Sequence, residues 1–140
     1  SNWEQVTYRL PTEAEWERAA RGGREGQLYA GGDDVLFAGW TGINSGGMTQ
    51  PVRGKQQNGF GLFDMTGNAW EWCSSVYRPY PYSANDGRED LESTGERVLR
   101  GGSFSSNPVR CSVTFRNTEK GTIPPTAIGF RVVVPVRKRQ

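Results

Sequence analysis

Polar and apolar positions alternate with a helical period in only one place. From Thr12 to Arg21 the apolar residues Ala14, Trp16, Ala19 and Ala20 supply one side of a helix, and Glu13 and Glu17 favour its start. Pro11 precedes it, Thr12 is placed to accept the first orphan amides, and Glu15 three residues later completes a capping box. Gly22-Gly23 ends it. From residue 22 to 58 neither period is sustained. The clusters Gly31-Gly32-Asp33-Asp34, Asn44-Ser45-Gly46-Gly47 and Gln56-Gln57-Asn58-Gly59 read as turns in irregular backbone held by Tyr29, Phe37 and Trp40. A two-residue period returns over Gly67–Cys73, placing Ala69, Glu71 and Cys73 on one strand face and Trp70 and Trp72 on the other. Arg97–Arg100 and Phe130–Val134 are further strand candidates, and residues 78 to 95, with Pro79, Pro81, Asn85, Asp86 and Gly87, read as a surface loop. One helix, short strands and long ordered loops predict an α+β domain and not a parallel α/β sheet.

Composition sharpens this picture. A chain of 140 residues holds one hydrophobic core, so residues 1–140 are read as a single domain. Its 19 Gly and 8 Pro break long elements, while 5 Trp, 6 Phe and 5 Tyr supply large buried areas in place of aliphatics. Trp16, Trp40, Trp70 and Trp72 are assigned to packing, and Trp3, near a terminus, to partial exposure. The net charge of +2 is dispersed, which argues against nucleic acid as a partner. The one basic run, Pro135-Val136-Arg137-Lys138-Arg139, reads as a solvated end. No stretch approaches 18 apolar residues, so membrane insertion is not expected; a soluble chain follows, either cytoplasmic or exported with its leader removed. The chain has no histidine, which excludes serine-histidine catalysis and histidine-ligated metals within it. Its two cysteines, Cys73 and Cys111, leave both a bridge and two buried thiols open.

Four ordered blocks carry a family resemblance. They are Arg9-Leu10-Pro11-Thr12-Glu13-Ala14-Glu15-Trp16-Glu17-Arg18-Ala19-Ala20-Arg21-Gly22, Asn58-Gly59-Phe60-Gly61-Leu62-Phe63-Asp64-Met65-Thr66-Gly67-Asn68-Ala69-Trp70-Glu71-Trp72-Cys73, Arg100-Gly101-Gly102-Ser103-Phe104 and Gly129-Phe130-Arg131-Val132. Together they resemble the formylglycine-generating enzyme, or sulfatase-modifying factor, family over nearly the whole chain. The resemblance implies a loop-rich variant of the C-type lectin fold with short antiparallel strands. Family members carry a considerable portion before the first block, whereas eight residues precede it here; Ser1-Asn2 read as a cloning remnant. The chain is therefore expected to be the C-terminal part of a larger lectin-like domain, with the missing N-terminal portion among its partners.

The resemblance also frames the chemistry. It implies structural calcium around Asn68 and Glu71, whose carbonyl and carboxylate are the hard oxygens that Ca²⁺ takes six to eight of. The bland alternative pairs Glu71 with an arginine such as Arg100 and leaves Asn68 to hold a turn. The Asn44-Ser45 loop is a weaker second site. The family's enzymes hold copper(I) between two thiolates, the first three residues after the Gly-Gly-Ser block and the second five further on. Those positions are Ser106 and Cys111 here, so the soft pair is incomplete and copper is not expected. Cys111 remains the catalytic candidate under an enzyme reading, as part of a formylglycine-generating or ergothioneine-type sulfur-oxidising enzyme. The histidine ligands of the latter's iron are absent.

The other function class is recognition. The stretch from Arg100 to Asn117 also resembles the variable region of lectin-fold proteins diversified by retroelements, where a constant scaffold displays a mutable surface. That resemblance implies a ligand-binding surface of Ser105, Ser106, Asn107, Arg110, Thr114, Phe115 and Asn117 within the period-free segment Ser105–Ala127, with Phe115 and Arg110 as anchors for a protein or small-molecule ligand. Glu119 and Lys120 are not residues that adenine mutagenesis of asparagine codons readily yields, and an ordinary solvated loop is the competing account. Asp64 and Glu71 as a glycosidase pair, and Gly31-Gly32-Asp33-Asp34 as a phosphate or calcium loop, are discounted.

Overall fold

The computed structural model describes residues 6–120 and 122–136. The expectations for Ser1-Asn2, for Trp3 and for Arg137–Arg139 of the basic end lie outside the described residues. Helix α1 spans Glu13–Arg21 and starts as its capping box predicts: Thr12 Oγ1 accepts from Glu15 N, and the Glu15 carboxylate accepts from Thr12 N at 2.9 Å. Gly22 closes it in the left-handed conformation, φ 60°. Its buried face is Glu13, Trp16 and Ala20, and Ala14 is exposed, contrary to the predicted apolar side. The reason lies in Glu13, whose carboxylate is bound by Arg116 across the interface and turns that residue inward.

Four strands make the sheet: β1 (Trp70–Val76), β2 (Arg97–Arg100), β3 (Arg116–Thr118) and β4 (Ile128–Gly129), in the order β3-β2-β1-β4. β2 lies antiparallel to both β1 and β3, with Glu71 opposite Arg100 and Leu99 opposite Asn117, and β4 lies parallel to β1. β2 coincides with its predicted span. β1 begins three residues later than predicted, because Gly67 and Asn68 both adopt positive φ, 70° and 68°, and form a turn. At Gly67 a Cβ would collide with the Trp40 carbonyl, so glycine is required there. β3 falls within the segment expected to lack a period; three residues are too few to show one.

The strand predicted over Phe130–Val134 does not form. Beyond β4 the chain makes one reciprocal pair of hydrogen bonds, between Val133 and Arg9 at 2.8 and 3.1 Å. Phe130, Val132 and Val134 remain 69%, 47% and 43% exposed. The alternating pattern is present, but a strand needs a continuous ladder, and among the described residues only Arg9 pairs with this segment.

α1 packs across the sheet through Trp16, which is fully buried and donates Nε1–H to Glu71 Oε1 at 2.8 Å. Trp16, Ala20, Ala30, Met65, Cys73, Val98 and Val113 form the main core. A second cluster joins Tyr29, Ala38 and Cys111. Tyr29 and Trp40 help to hold the irregular region as expected, whereas Phe37 is 69% exposed. Phe37 lies on the short helix α2 (Val35–Ala38), which Asp34 caps and which turns only Ala38 fully inward. The 78–95 loop is exposed for most of its length but hangs on buried Arg88, which bonds Asp86 and the carbonyls of Pro79 and Pro81.

The deepest charge is Arg100, whose side chain is fully buried. Its guanidinium pairs with Glu17, reaches Glu13 at 3.0 Å, and donates to the carbonyls of Val113 at 2.8 Å and Phe115 at 3.1 Å. Burial alone would push the Glu17 carboxyl up; hydrogen bonding to Arg21 and the charge of Arg100 outweigh it and hold Glu17 below the usual carboxylate range. Replacing Arg100 with Leu strands these acceptors and should cost about 3–5 kcal/mol, read as a lowered urea midpoint; an unchanged midpoint would show the network to be dispensable.

A second electrostatic expectation concerns the start of α1. The bidentate contact from Arg9, with help from the Thr12 amide, lowers the Glu15 carboxyl to about 2 from 4.5. A depressed carboxyl contributes stability above its unfolded value and loses it as pH falls through the folded value. Thermal melts should therefore show a stability loss between pH 4.5 and 2 that is smaller in Glu15→Gln. The pair is exposed, so the difference should stay below about 1 kcal/mol.

Candidate functional site

The site grows out of the turn that follows β2. Gly101 and Gly102 take positive φ, 96° and 71°, and a Cβ on Gly102 would run into Cys111 Sγ. The turn delivers Ser103 through Ser106 onto a backbone tied down by distant loops. Phe104 N donates to the Asn68 carbonyl at 2.9 Å, Gly42 N donates to the Ser106 carbonyl at 2.9 Å, and Ser45 Oγ donates to the Phe104 carbonyl at 2.6 Å. Asn107 then caps the 3-10 turn Pro108–Cys111, its Oδ1 accepting from Val109 N at 3.0 Å. Farther on, Arg100 clamps the carbonyls on either side of Thr114.

These segments enclose an open cleft of about 560 Å³. Ser103, Ser105, Ser106, Asn107 and Thr122 give its polar side, with Arg110 exposed among its lining residues. Trp70, Val109, Phe115, Ile123 and Pro124 give its apolar side. Phe115 is half-buried and lies 6.2 Å from the Trp70 ring, inclined at 46°, which fixes its plane. No acidic side chain lines the cleft, and Arg110 has no ion pair among the described residues.

Five of the seven residues expected to bind ligand thus come together: Ser105, Ser106, Asn107, Arg110 and Phe115. The other two do not join them. Thr114 is exposed outside the lining, and Asn117 sits in β3 with its Oδ1 turned back to Thr118 N at 2.8 Å. Ser106 is buried at 8% exposure and serves the turn, while the Asn107 carbonyl oxygen is spent on its cap. Trp70, Ser103, Val109, Thr122, Ile123 and Pro124 were missed as site residues. Val109, 68% exposed in a polar stretch, was the available signal.

The metal expectations meet a full set of internal partners. Asn68 Oδ1 accepts from Gln50 N at 2.9 Å and its Nδ2 donates to Gln50 O at 3.1 Å. Both oxygens of Glu71 face Arg131, at 2.7 and 2.8 Å. An arginine does neutralise Glu71, but it is Arg131; Arg100 is engaged with the helix acids instead. A guanidinium at that distance opposes a second cation, so Asn68 and Glu71 as arranged do not fit Ca²⁺. Asn44 is likewise committed, to Thr41 N and Gly39 O. Among the described residues, no cluster of three or more Cys, Asp or Glu side chains could hold a metal.

Both cysteines are free and buried, in different core clusters. Burial raises the Cys111 thiol to about 12, against small opposing contributions from the Gly67 and Ser103 amides, and raises Cys73 further. Ser106 accepts from Ser103 N at 2.9 Å at the place where a thiolate would be needed. A hard hydroxyl committed to a turn beside a single thiol does not fit copper(I), which takes soft sulfur ligands.

Fold and site together define a C-type-lectin-like α+β domain with a ligand-sized cleft behind its Gly-Gly-Ser turn. The chain belongs to the sulfatase-modifying factor enzyme 1-like domain family, whose profile matches residues 1–136. It is 38% identical to a formylglycine-generating enzyme of Streptomyces coelicolor, across 88% of this chain and 45% of that enzyme. To the inactive Cα-formylglycine-generating enzyme 2 of Mus musculus it is 35% identical, across 88% and 42%. Among solved structures, Treponema denticola variable protein 1 superposes with a TM-score of 0.75 at 35% identity, across 89% of this chain and 46% of that one. The chain thus spans somewhat under half the length of each of these relatives. Among the described residues, no helix is long and apolar enough to cross a membrane.

The thiol environment is directly testable. At pH 8 neither Cys73 nor Cys111 should react with a disulfide reagent in the folded protein, and both should react in denaturing urea. Rapid labelling of one thiol before unfolding would contradict the raised pKa of the thiols and their burial.

Proposed function

We propose that this domain is a recognition module without catalysis, binding a protein or small-molecule ligand in the cleft between Ser103 and Pro124. The observation that carries the reading is a division of labour. The cleft's backbone is held by residues outside it, namely Arg100, Asn68 and Gly42, whereas Ser105, Val109 and Arg110 are exposed. A rigid frame with free side chains lets a ligand bind at small ordering cost. The likeness to Treponema denticola variable protein 1 supports a role in displaying a changeable surface.

Kinship with formylglycine-generating enzymes supports a second reading, in which the chain is part of such an enzyme and Cys111 is its surviving thiol. The hydroxyl at Ser106 and the protonated state of Cys111 favour the first.

One experiment separates them. The protein, loaded with Cu(I) in air, is incubated with a cysteine-containing peptide that is then weighed by mass spectrometry, while a fragment library is titrated and followed by backbone amide shifts. Recognition predicts an unchanged peptide and fragment-induced shifts gathered on residues 103–115 and 123. Conversion of the cysteine to formylglycine would overturn the non-catalytic reading, and shifts scattered away from these residues would overturn the assignment of the cleft.

A further inference from the structure

The three serines at the end of the cleft form one hydrogen-bonded chain, and its donors can be counted. Ser103 Oγ lies 3.2 Å from both Ser105 Oγ and Ser106 Oγ; Ser106 Oγ accepts from Ser103 N at 2.9 Å, and Ser103 Oγ accepts from Ser105 N at 3.3 Å. Each hydroxyl has one proton and two lone pairs. If the chain runs outward, Ser106 donates to Ser103, Ser103 donates to Ser105, and every buried partner is satisfied. The proton left over then belongs to Ser105, which is exposed at the cleft. If it runs inward, the proton left over is that of Ser106, which is buried and has no acceptor among the described residues. Leaving a buried hydroxyl unpaired costs about 1–3 kcal/mol, so the outward direction prevails. In the outward direction the serines offer the cleft one unspent O–H donor, that of Ser105.

Arg110 adds a guanidinium, the only formal charge in the lining, uncompensated by any acidic side chain there. Around these two donors the wall is Trp70, Val109, Phe115, Ile123 and Pro124. Ser105 and the Arg110 guanidinium can meet the two oxygens of a single carboxylate, with the Asn107 amide and the Thr122 hydroxyl as further polar groups on the same wall. A phosphate dianion would bring more charge than one arginine offsets, and an ammonium group would meet the like charge of Arg110 with no acidic side chain in the lining to answer it. The apolar wall calls for a hydrocarbon or aromatic body behind the anion.

We propose that this cleft selects an apolar carboxylate, a small aromatic acid or the C-terminus of a peptide ending in an apolar residue, with Ser105 and Arg110 receiving its two oxygens. The proposal rests on the reading of the cleft as a binding site and adds the chemical class of what enters it.

Its test uses probes differing at one group. 3-Phenylpropionate, its primary amide and 3-phenylpropylamine are titrated into the labelled protein, and dissociation constants are read from the backbone amides of residues 103–115. N-acetyl-Ala-Phe and its C-terminal amide are titrated in parallel to separate a free acid from a peptide end. The carboxylates should bind, the amides should bind about tenfold more weakly and the amine should not bind. Arg110→Gln should abolish the preference for acid over amide, Arg110→Lys should keep part of it, and Ser105→Ala should weaken the acid about three- to tenfold. Both positions are exposed, and unchanged melting temperatures of the variants show that folding is unaffected. An amide that binds as well as its acid, or a preference that survives Arg110→Gln, overturns the carboxylate class while leaving the cleft a binding site. If no probe shifts residues 103–115, the proposal is overturned as well, and the recognition reading then stands or falls on the fragment and mass measurements alone.

Discussion

Everything that meets at the centre of this domain meets on the guanidinium of Arg100. A fully buried arginine is tolerable only when its charge and most of its donors are answered, and here the answers come from two other parts of the chain. Glu13 and Glu17 come from α1, and the carbonyls of Val113 and Phe115 come from the segment that shapes the cleft. The Trp16 ring lies 5.3 Å from the same cation and closes it off from water. The helix, β2 and the cleft-bearing segment are therefore one electrostatic unit. Where the short strands bury little hydrophobic area, this unit supplies the positional specificity that a larger core would otherwise provide.

The same arginine marks the boundary between what could be read from the chain and what could not. Local grammar was legible: the capping box of Thr12 and Glu15, the stop at Gly22 and the four residues of β2 all rest on neighbours in sequence. Pairings over long separations were not. Glu71 was expected beside an arginine, but no local rule distinguishes Arg131, sixty positions away, from Arg100 directly opposite it in the sheet. Phe130–Val134 carries a strand's alternation without a strand's partner, and alternation describes only one side of a ladder. Phe37 is aromatic in an apolar run, yet the four-residue helix that carries it turns Ala38 inward instead.

The cleft divides in the same way. Ser105, Ser106, Asn107, Arg110 and Phe115 were legible because they lie together in a stretch bracketed by recognisable motifs. Trp70, Ile123 and Pro124 were not, because a cavity wall is assembled from segments more than fifty residues apart, and nothing in the period of either segment records that they will face each other. Ser106 accepts the Ser103 amide and joins a chain of hydroxyls, so the turn has an internal brace at that position.

The clamp that Arg100 places on the carbonyls of Val113 and Phe115 touches main chain only. Every residue has such a carbonyl, so the grip does not depend on which side chains occupy positions 113 to 115. An inherited change at Thr114 would alter the exposed surface beside the cleft without loosening the anchor beneath it. The domain thereby separates heritable variation in its exterior from the persistence of its fold, the property a lineage needs if it is to explore new ligands by single substitutions.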